Sequence, residues 1–301
     1  MNHAIVVVFD DAYGMFARAC LNSIRQNYPN YPQILAFYDG ADASLKRFLA
    51  DFDRLRIRSG AEMFQPHLDW DLGPVSSPMV YFKYGLFGPD FDEYDVLLHL
   101  DADTLVLKPL DELFRDDDFF IVSNHGFYPT ERVFAADAFA DMNLLCRLAH
   151  DGLGYPGGKD DMVNAGVFAV PKRRRQPPHR DRLVDITRTY NEYLQYADQS
   201  ALSLWCRSFH IPIRVDFRYN FQSPFVTEEP ICSLLDDAAI VHFSNKKPSD
   251  PDFVDWLYRE AVWSKRIGRS TTAAVRERAE KLQQLFFLYT SVRGLNLAEQ
   301  V

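Results

Sequence analysis

"VLLHLDADTLVLKP", residues 96–109, decides how this chain is read. Leu97, Leu98 and Leu100 on one side and Leu105, Val106 and Leu107 on the other spell a buried strand. Asp101 and Asp103 interrupt it. In an extended segment residues i and i+2 point to the same side, so the two carboxylates are expected together, with Ala102 too small to obstruct a ligand. Two carboxylates held that close repel each other unless a cation or a proton lies between them. Oxygen ligands suit Mg2+ or Mn2+, above all when phosphates complete the octahedron. A strand-end aspartate capping the next turn is the plainer alternative, and the pair by itself leaves both open.

Outward from this run, short apolar stretches alternate with helical ones. "AIVVVF" (4–9) is β-branched and continuous, as a fully buried strand is. "GMFARACLNSIRQNY" (14–28) places Phe16, Ala19, Cys20, Ile24 and Tyr28 near a 3.6 period and is stopped by Pro29, so it reads as a helix. "QILAFYD" (33–39) reads as a strand and "DASLKRFLADF" (42–52) as an amphipathic helix capped by Asp42. "DVLLHLDAD" (95–103), "NAGVFAV" (164–170), "IPIRVDF" (211–217) and "AAIVHF" (238–243) add strands. This order predicts an α/β fold, a mostly parallel sheet flanked by helices. Such sheets bind ligands beyond the carboxyl ends of their strands near the switch in strand order. Asp10 and Asp11 close the first strand, and Asp101 and Asp103 close a later one. No internal repeat or long linker is seen, so residues 1–248 are expected to form one domain and 249–301 a helical C-terminal extension.

The totals narrow the partners. Lys and Arg number 33 against 42 Asp and Glu, a net charge of −9, so no nucleic acid is expected as partner. The four cysteines stand far apart with no C-x-x-C pair, which argues against a disulfide scaffold or a structural zinc site. No apolar run approaches the roughly 20 residues that span a bilayer, and "AIVVVF" meets Asp10 and Asp11 at once, unlike a signal peptide. The expected location is cytoplasmic, with peripheral membrane contact as the alternative. "KRRRQPPHRDR" (172–182) reads as a solvated basic loop, and "LQQLFFLY" (282–289) as a helix packing on the core. "GLGYPG" (152–157) satisfies G-x-G-x-x-G but follows no strand and contains Pro156, so it is not a dinucleotide loop. A G-x-x-x-x-G-K-[ST] loop and a G-x-S-x-G elbow are both absent.

Residues 81–114, "YFKYGLFGPDFDEYDVLLHLDADTLVLKPLDELF", resemble the core motif of glycogenin and its relatives, with which the bacterial lipopolysaccharide galactosyl- and glucosyltransferases are grouped. Four further stretches match in the family's order: "DDAYGMFARACLNSIRQNYP" (10–29), "VNAGVFAV" (163–170), "ADQSALS" (197–203) and "VHFSNKKP" (241–248). The resemblance implies a GT-A fold and a retaining hexosyltransferase that uses a UDP-sugar. It implies Asp101, Asp103 and His242 as ligands of Mn2+, with Mg2+ as the alternative, and Ala102 beside them. The metal would act as a Lewis acid toward the departing UDP. An imidazole in an oxygen-rich site favours Mn2+. Lys83 and Lys247 would add positive charge at the phosphates, with Lys246 as an alternative to Lys247. Tyr13 would stack on uracil, with Phe9, Asp10 and Asp11 nearby. Asp161, Asn164 and Ala165 would lie at the donor sugar, Asp160 competing with Asp161. Asp198 and Gln199 would position the transition state near the anomeric carbon.

The C-terminal motif departs from the family pattern: Asn245 stands where a Gly is usual, Lys247 comes one residue early, and Ser249 replaces a Trp. Asn tolerates a left-handed backbone, so the turn can survive. Residues 222–236 contain no tyrosine, which argues against a self-glucosylating protein. The acceptor class is left open among glycan, lipid-linked core and protein. A catalytically silent UDP-sugar-binding protein is the alternative function, and a nucleotidyltransferase the more distant one.

Overall fold

The computed structural model describes residues 2–63, 79–115, 118–124, 134, 141–153, 162–227, 231–263 and 272–291. In chain order the elements begin with β1 His3–Asp10, α1 Gly14–Asn27, β2 Gln33–Asp39, α2 Ala43–Ala50, β3 Leu55–Arg58, α3 Gly60–Met63 and α4 Met79–Phe82. β4 Val96–Asp101, β5 Thr104–Val106, β6 Phe120–Ser123, α5 Met142–His150, β7 Val163–Pro171, α6 Pro177–Tyr190 and α7 Ala197–Ser208 follow. The last are β8 Phe221–Gln222, β9 Ile240–His242, α8 Phe253–Trp263 and α9 Thr272–Ser291. They fall into two compact units. One comprises Met1–Asp11, Pro32–Asp101 and Asp111–Asp216; the other comprises Ala12–Tyr31, Ala102–Leu110 and Phe217–Val301.

The first unit holds a six-stranded sheet in the order β3-β2-β1-β4-β7-β6. β1 runs parallel to both β2 and β4, and β2 parallel to β3. β7 alone runs against its neighbours β4 and β6, so the sheet is mixed and mostly parallel. The strand order reverses between β1 and β4, where α/β sheets open a crevice for ligands. There Val8 pairs with Asp101, and Asp10 pairs with Asp39, so the aspartates lie at the carboxyl ends of three neighbouring strands. Ile5, Val6, Val7, Leu97, Leu98 and Leu100 are fully buried, as continuous apolar runs in a covered sheet must be. Phe87, Phe119, Phe168 and Trp205 form an aromatic cluster with ring centroids 4.9 to 6.1 Å apart.

Asp42 accepts from the backbone N–H groups of Ser44 and Leu45, the cap expected for α2. Two strand readings change. The run 95–103 is not one strand: β4 ends at Asp101, Ala102 and Asp103 form a turn, and β5 pairs antiparallel with β9 in a separate sheet ordered β5-β9-β8. Asp101 and Asp103 are therefore not related by the pleat of one strand. Both halves of the run are apolar because both are buried, and hydrophobicity alone cannot show that they are buried in different sheets. The stretch 211–217 supplies only a bridge between Arg214 and Val122. Pro212 has no N–H to give a ladder, and Val215 is exposed.

The second unit is built on aromatic contacts. Phe286 of α9 lies 5.3 Å from Phe16 of α1 and 5.7 Å from Phe243, which meets Phe253 of α8 at 6.2 Å, centroid to centroid. Asn22 of α1 donates to the carbonyl of Tyr289 at 2.8 Å, and Asn27 donates to the Tyr289 hydroxyl at 2.6 Å. Within the patch 285–289, Phe286 and Tyr289 are buried whereas Phe287 and Leu288 are exposed. None of the described helices is long and apolar enough to cross a membrane.

Candidate active site

In the first unit a buried lysine gathers four segments. Lys83 opens a single-turn helix, Lys83–Phe87, and is 4% exposed. Its ammonium lies 2.8 Å from Asp198 and 3.3 Å from Asp101, and donates to the Ala165 carbonyl at 3.3 Å. Burial would by itself depress the ammonium, but the two carboxylates outweigh it and raise its pKa. Asp198 sits in the first turn of α7, where the helix dipole favours an anion. Burial raises its carboxyl above the ordinary value, and Lys83 opposes that rise. The next residue, Gln199, accepts from the Ala165 N–H at 3.3 Å. Asn164 accepts from Gly166 N at 2.9 Å and donates to Asn124 at 3.4 Å. Asp101, Lys83, Asp198, Ala165 and Gln199 are thus joined through direct contacts, with Asn164 next to Ala165 along the chain. The Lys83 ammonium meets two carboxylates and a carbonyl of the protein itself.

In the second unit the turn after β4 sets Asp103 against β9. Thr104 is in register with His242, and Phe243 N donates to the Asp103 carbonyl at 2.9 Å. His242 Nε2 lies 3.4 Å from an Asp103 carboxylate oxygen. Its Nδ1 lies 3.1 Å from Asn220 Oδ1, and since an amide oxygen only accepts, the proton of that bond is on Nδ1. Lys247 pairs with the Asp103 carboxylate and donates to the Phe243 carbonyl at 2.8 Å. Lys246, the alternative lysine, pairs with Asp250 and Asp252 at 3.6 and 2.9 Å. Asn245 has φ 65°, the left-handed turn that a Gly more commonly serves. Tyr13 precedes α1, half-exposed, with its ring centroid 5.7 Å from the Lys247 ammonium.

The remaining expected residues are placed as follows. Phe9 is buried, its ring stacked on Tyr38 at 5.3 Å, so only its backbone can face a ligand. Asp10 ends β1. Asp11 accepts from the Tyr38 hydroxyl, from Ala41 N at 2.8 Å and from Asp42 N at 3.2 Å, which pins the loop before α2. These bonds, led by the one from Tyr38, hold its carboxyl below the usual range. A Cβ at Gly40 would collide with that carboxylate and the Tyr38 ring, so this turn needs glycine. Ala102 is buried in the turn. Asp161 and its competitor Asp160 lie outside the described residues, as does most of "GLGYPG". In the basic loop, Arg173 and Arg174 pair with Asp118, while Arg175 is fully buried and donates to the carbonyls of Phe91 and Tyr94. The stretch 172–182 is therefore not a solvated loop: Lys172–Arg174 form a helical turn, Arg175 is fastened to the core, and residues from Pro177 on open α6. Three contributing residues went unread in the sequence: His99, Asn124 and Asn220. His99 carried a signal, standing two residues before Asp101 on the same face of β4. The others carried none, since a lone Asn looks like any polar residue.

Known proteins agree with this architecture. The model for glycosyl transferase family 8 matches residues 4–248. Glycosyltransferase GlyA of Streptococcus pneumoniae serotype 4 strain TIGR4 is 26% identical over 195 residues, which cover 61% of this chain and 23% of that protein. The chain therefore corresponds to about a quarter of the length of that curated relative. Among solved structures, the apo form of the bifunctional glycosyltransferase WbbM has a TM-score of 0.59 at 16% identity, covering 92% of this chain and 51% of that one. The galactosyltransferase LgtC, solved with donor and acceptor sugar analogues, has a TM-score of 0.56 at 17% identity, covering 90% and 99%. Identities this low establish the fold alone, the GT-A arrangement expected from the motifs.

Proposed function

The chain belongs to glycosyl transferase family 8, and on that premise we propose that it moves a hexose, glucose or galactose, from a UDP-sugar to a hydroxyl acceptor with retention of configuration. Asp101, Asp103 and His242 would hold Mn2+, with Mg2+ as the alternative. The observation that carries this reading is Asp103 flanked by His242 and Lys247, one residue away from Asp101 along the chain. One intervening residue keeps the two aspartate Cα atoms within about 7 Å by covalent geometry alone. Asp103 and His242 bring a carboxylate and an imidazole within 3.4 Å of each other. The donor set suits Mn2+: two carboxylates and one imidazole, and Asn220 occupies Nδ1, so Nε2 is the ring nitrogen on the Asp103 side. A bound cation would neutralise charge on the leaving diphosphate.

The protein's own groups would divide the remaining work. Lys247 would donate to the diphosphate, and Tyr13 beside it would stack on the uracil, with Asp10, Asp11 and the Phe9 backbone at the same end. Asn164, Ala165 and Asp161 would meet the sugar. Asp198 and Gln199 would position the transition state, and Lys83 would hold Asp198 and Asp101 in register. Residues 1–248 would carry this chemistry, with 249–301 as the helical extension. A cytoplasmic protein acting on a glycan, lipid-linked or protein acceptor, with or without peripheral membrane contact, suits the acidic composition.

UDP release from a panel of UDP-sugars, with Mn2+ or EDTA, tests the proposal without a known acceptor. Mn2+-dependent release from one sugar supports it and identifies the donor. The alternative, a catalytically silent UDP-sugar-binding protein, is motivated by the departures at Asn245, Lys247 and Ser249. It is favoured by a UDP-sugar that binds and is never cleaved with any acceptor. Absence of binding across the panel overturns both.

A further inference from the structure

His99 stands in the middle of an apolar strand and is fully buried. Residues two apart on a strand share a face, and its Nε2 lies 2.9 Å from Asp101 Oδ1. The Lys83 ammonium reaches the same oxygen at 3.3 Å. The ring rests on Phe168, centroids 4.8 Å apart and planes at 37°. The other ring nitrogen, Nδ1, is buried with no hydrogen-bond partner. An ionised carboxylate can only accept, so the shared proton belongs to Nε2, and Nδ1 carries a buried lone pair.

For packing alone this is a poor residue. A phenylalanine would fill the same space against Phe168 without an orphaned nitrogen, and every orphaned polar atom in a core is a loss. What the imidazole adds is the bond to Asp101. Rotation of a carboxylate about its terminal torsion is soft, and two donors converging on one oxygen restrict it. We propose that His99 is a positioning residue that orients the Asp101 carboxylate for the cation. The inference rests on the reading of Asp101 as a cation ligand. Ligand orientation by an outer hydrogen bond is commonly worth about 10–100-fold in metal affinity.

The test is Mn2+ affinity, measured by electron paramagnetic resonance on the full chain with UDP present, for wild type, His99→Phe and His99→Gln, with Asp103→Asn as control. His99→Phe is expected to weaken Mn2+ binding about 10–100-fold, with His99→Gln, whose amide can donate to Asp101, recovering most of it. Unchanged affinity in His99→Phe, or equal losses in both variants, overturns the inference while wild-type binding keeps the cation reading intact. No Mn2+ binding in wild type overturns both. Where His99→Phe does not fold, nitrogen-15 NMR of wild-type protein decides: a protonated Nε2 that shifts on adding Mg2+ supports the role, and a protonated Nδ1 overturns it.

Discussion

At Lys83 the chain carries a full positive charge into its interior, beside two carboxylates it must then compensate. Replacing it with Met would leave Asp198 and Asp101 facing each other without a cation, and breaking a buried pair from one side costs about 3–5 kcal/mol. Lys83→Met is therefore expected to lower the denaturant midpoint markedly, and Lys83→Met with Asp198→Asn to recover part of it; additive losses would show that the two are not coupled. Asp103→Asn is the complementary change. It keeps the volume but removes the charge that faces Lys247 and weakens a proposed ligand, so UDP release is expected to fall nearly to nothing and the melting temperature to drop with it. Wild-type turnover in that variant would refute the metal assignment. What was legible at this scale is which residues meet: motifs name Asp101, Asp103, His242, Asp198 and Lys83, and Lys83 touches Asp198 and Asp101 while His242 touches Asp103. The use made of Lys83 was not, because charge type is written in a sequence but the acceptors that surround it are not.

At the scale of elements, helix ends could be read well and strand ends poorly. Asp42 caps α2 as expected, and Asp42→Ala should cost about 1 kcal/mol in thermal or chemical unfolding. A cost near zero would mean that water replaces the cap. In α9, Phe286 fills the space between Phe16 and Phe243, so Phe286→Ala should destabilise by about 3–5 kcal/mol. Its exposed neighbour Phe287 should tolerate Ser within about 0.5 kcal/mol. Equal effects would place the wrong face of α9 against the core. The break between β4 and β5 escaped the sequence because a turn of Ala102 and Asp103 carries neither Gly nor Pro. Caps are read from one residue and its neighbours; a change of sheet depends on β9, more than a hundred residues away.

For the whole molecule, acid should act through buried and half-buried imidazoles before it acts through carboxylates. Burial lowers the pKa of His3, His99 and His179 below the ordinary 6.5. The folded state then stays neutral at these sites while the unfolded chain takes up protons, so their contribution is intact above pH 6.5 and lost as pH falls toward the folded values. Asp198, raised by burial, works in the opposite direction above the ordinary carboxylate value. The denaturant midpoint of wild type should fall between pH 7.5 and 5.5, and by less in His179→Phe. An identical slope in the variant would remove His179 from the account.

The kinds of element, their alternation and the motif residues are written in the chain, because period, caps and spacing are local properties. The family is written there too, since five stretches in one order are a linear record. What needed the folded chain is that Asp101 ends one sheet while Asp103 lies in the turn before a strand of another, that Lys83 answers Asp198 and Asp101, and that Asn220 and His99 stand behind His242 and Asp101. Those are matters of which distant segments come together in a low-dielectric interior, where a charge or a ring nitrogen takes its meaning from its neighbours in space.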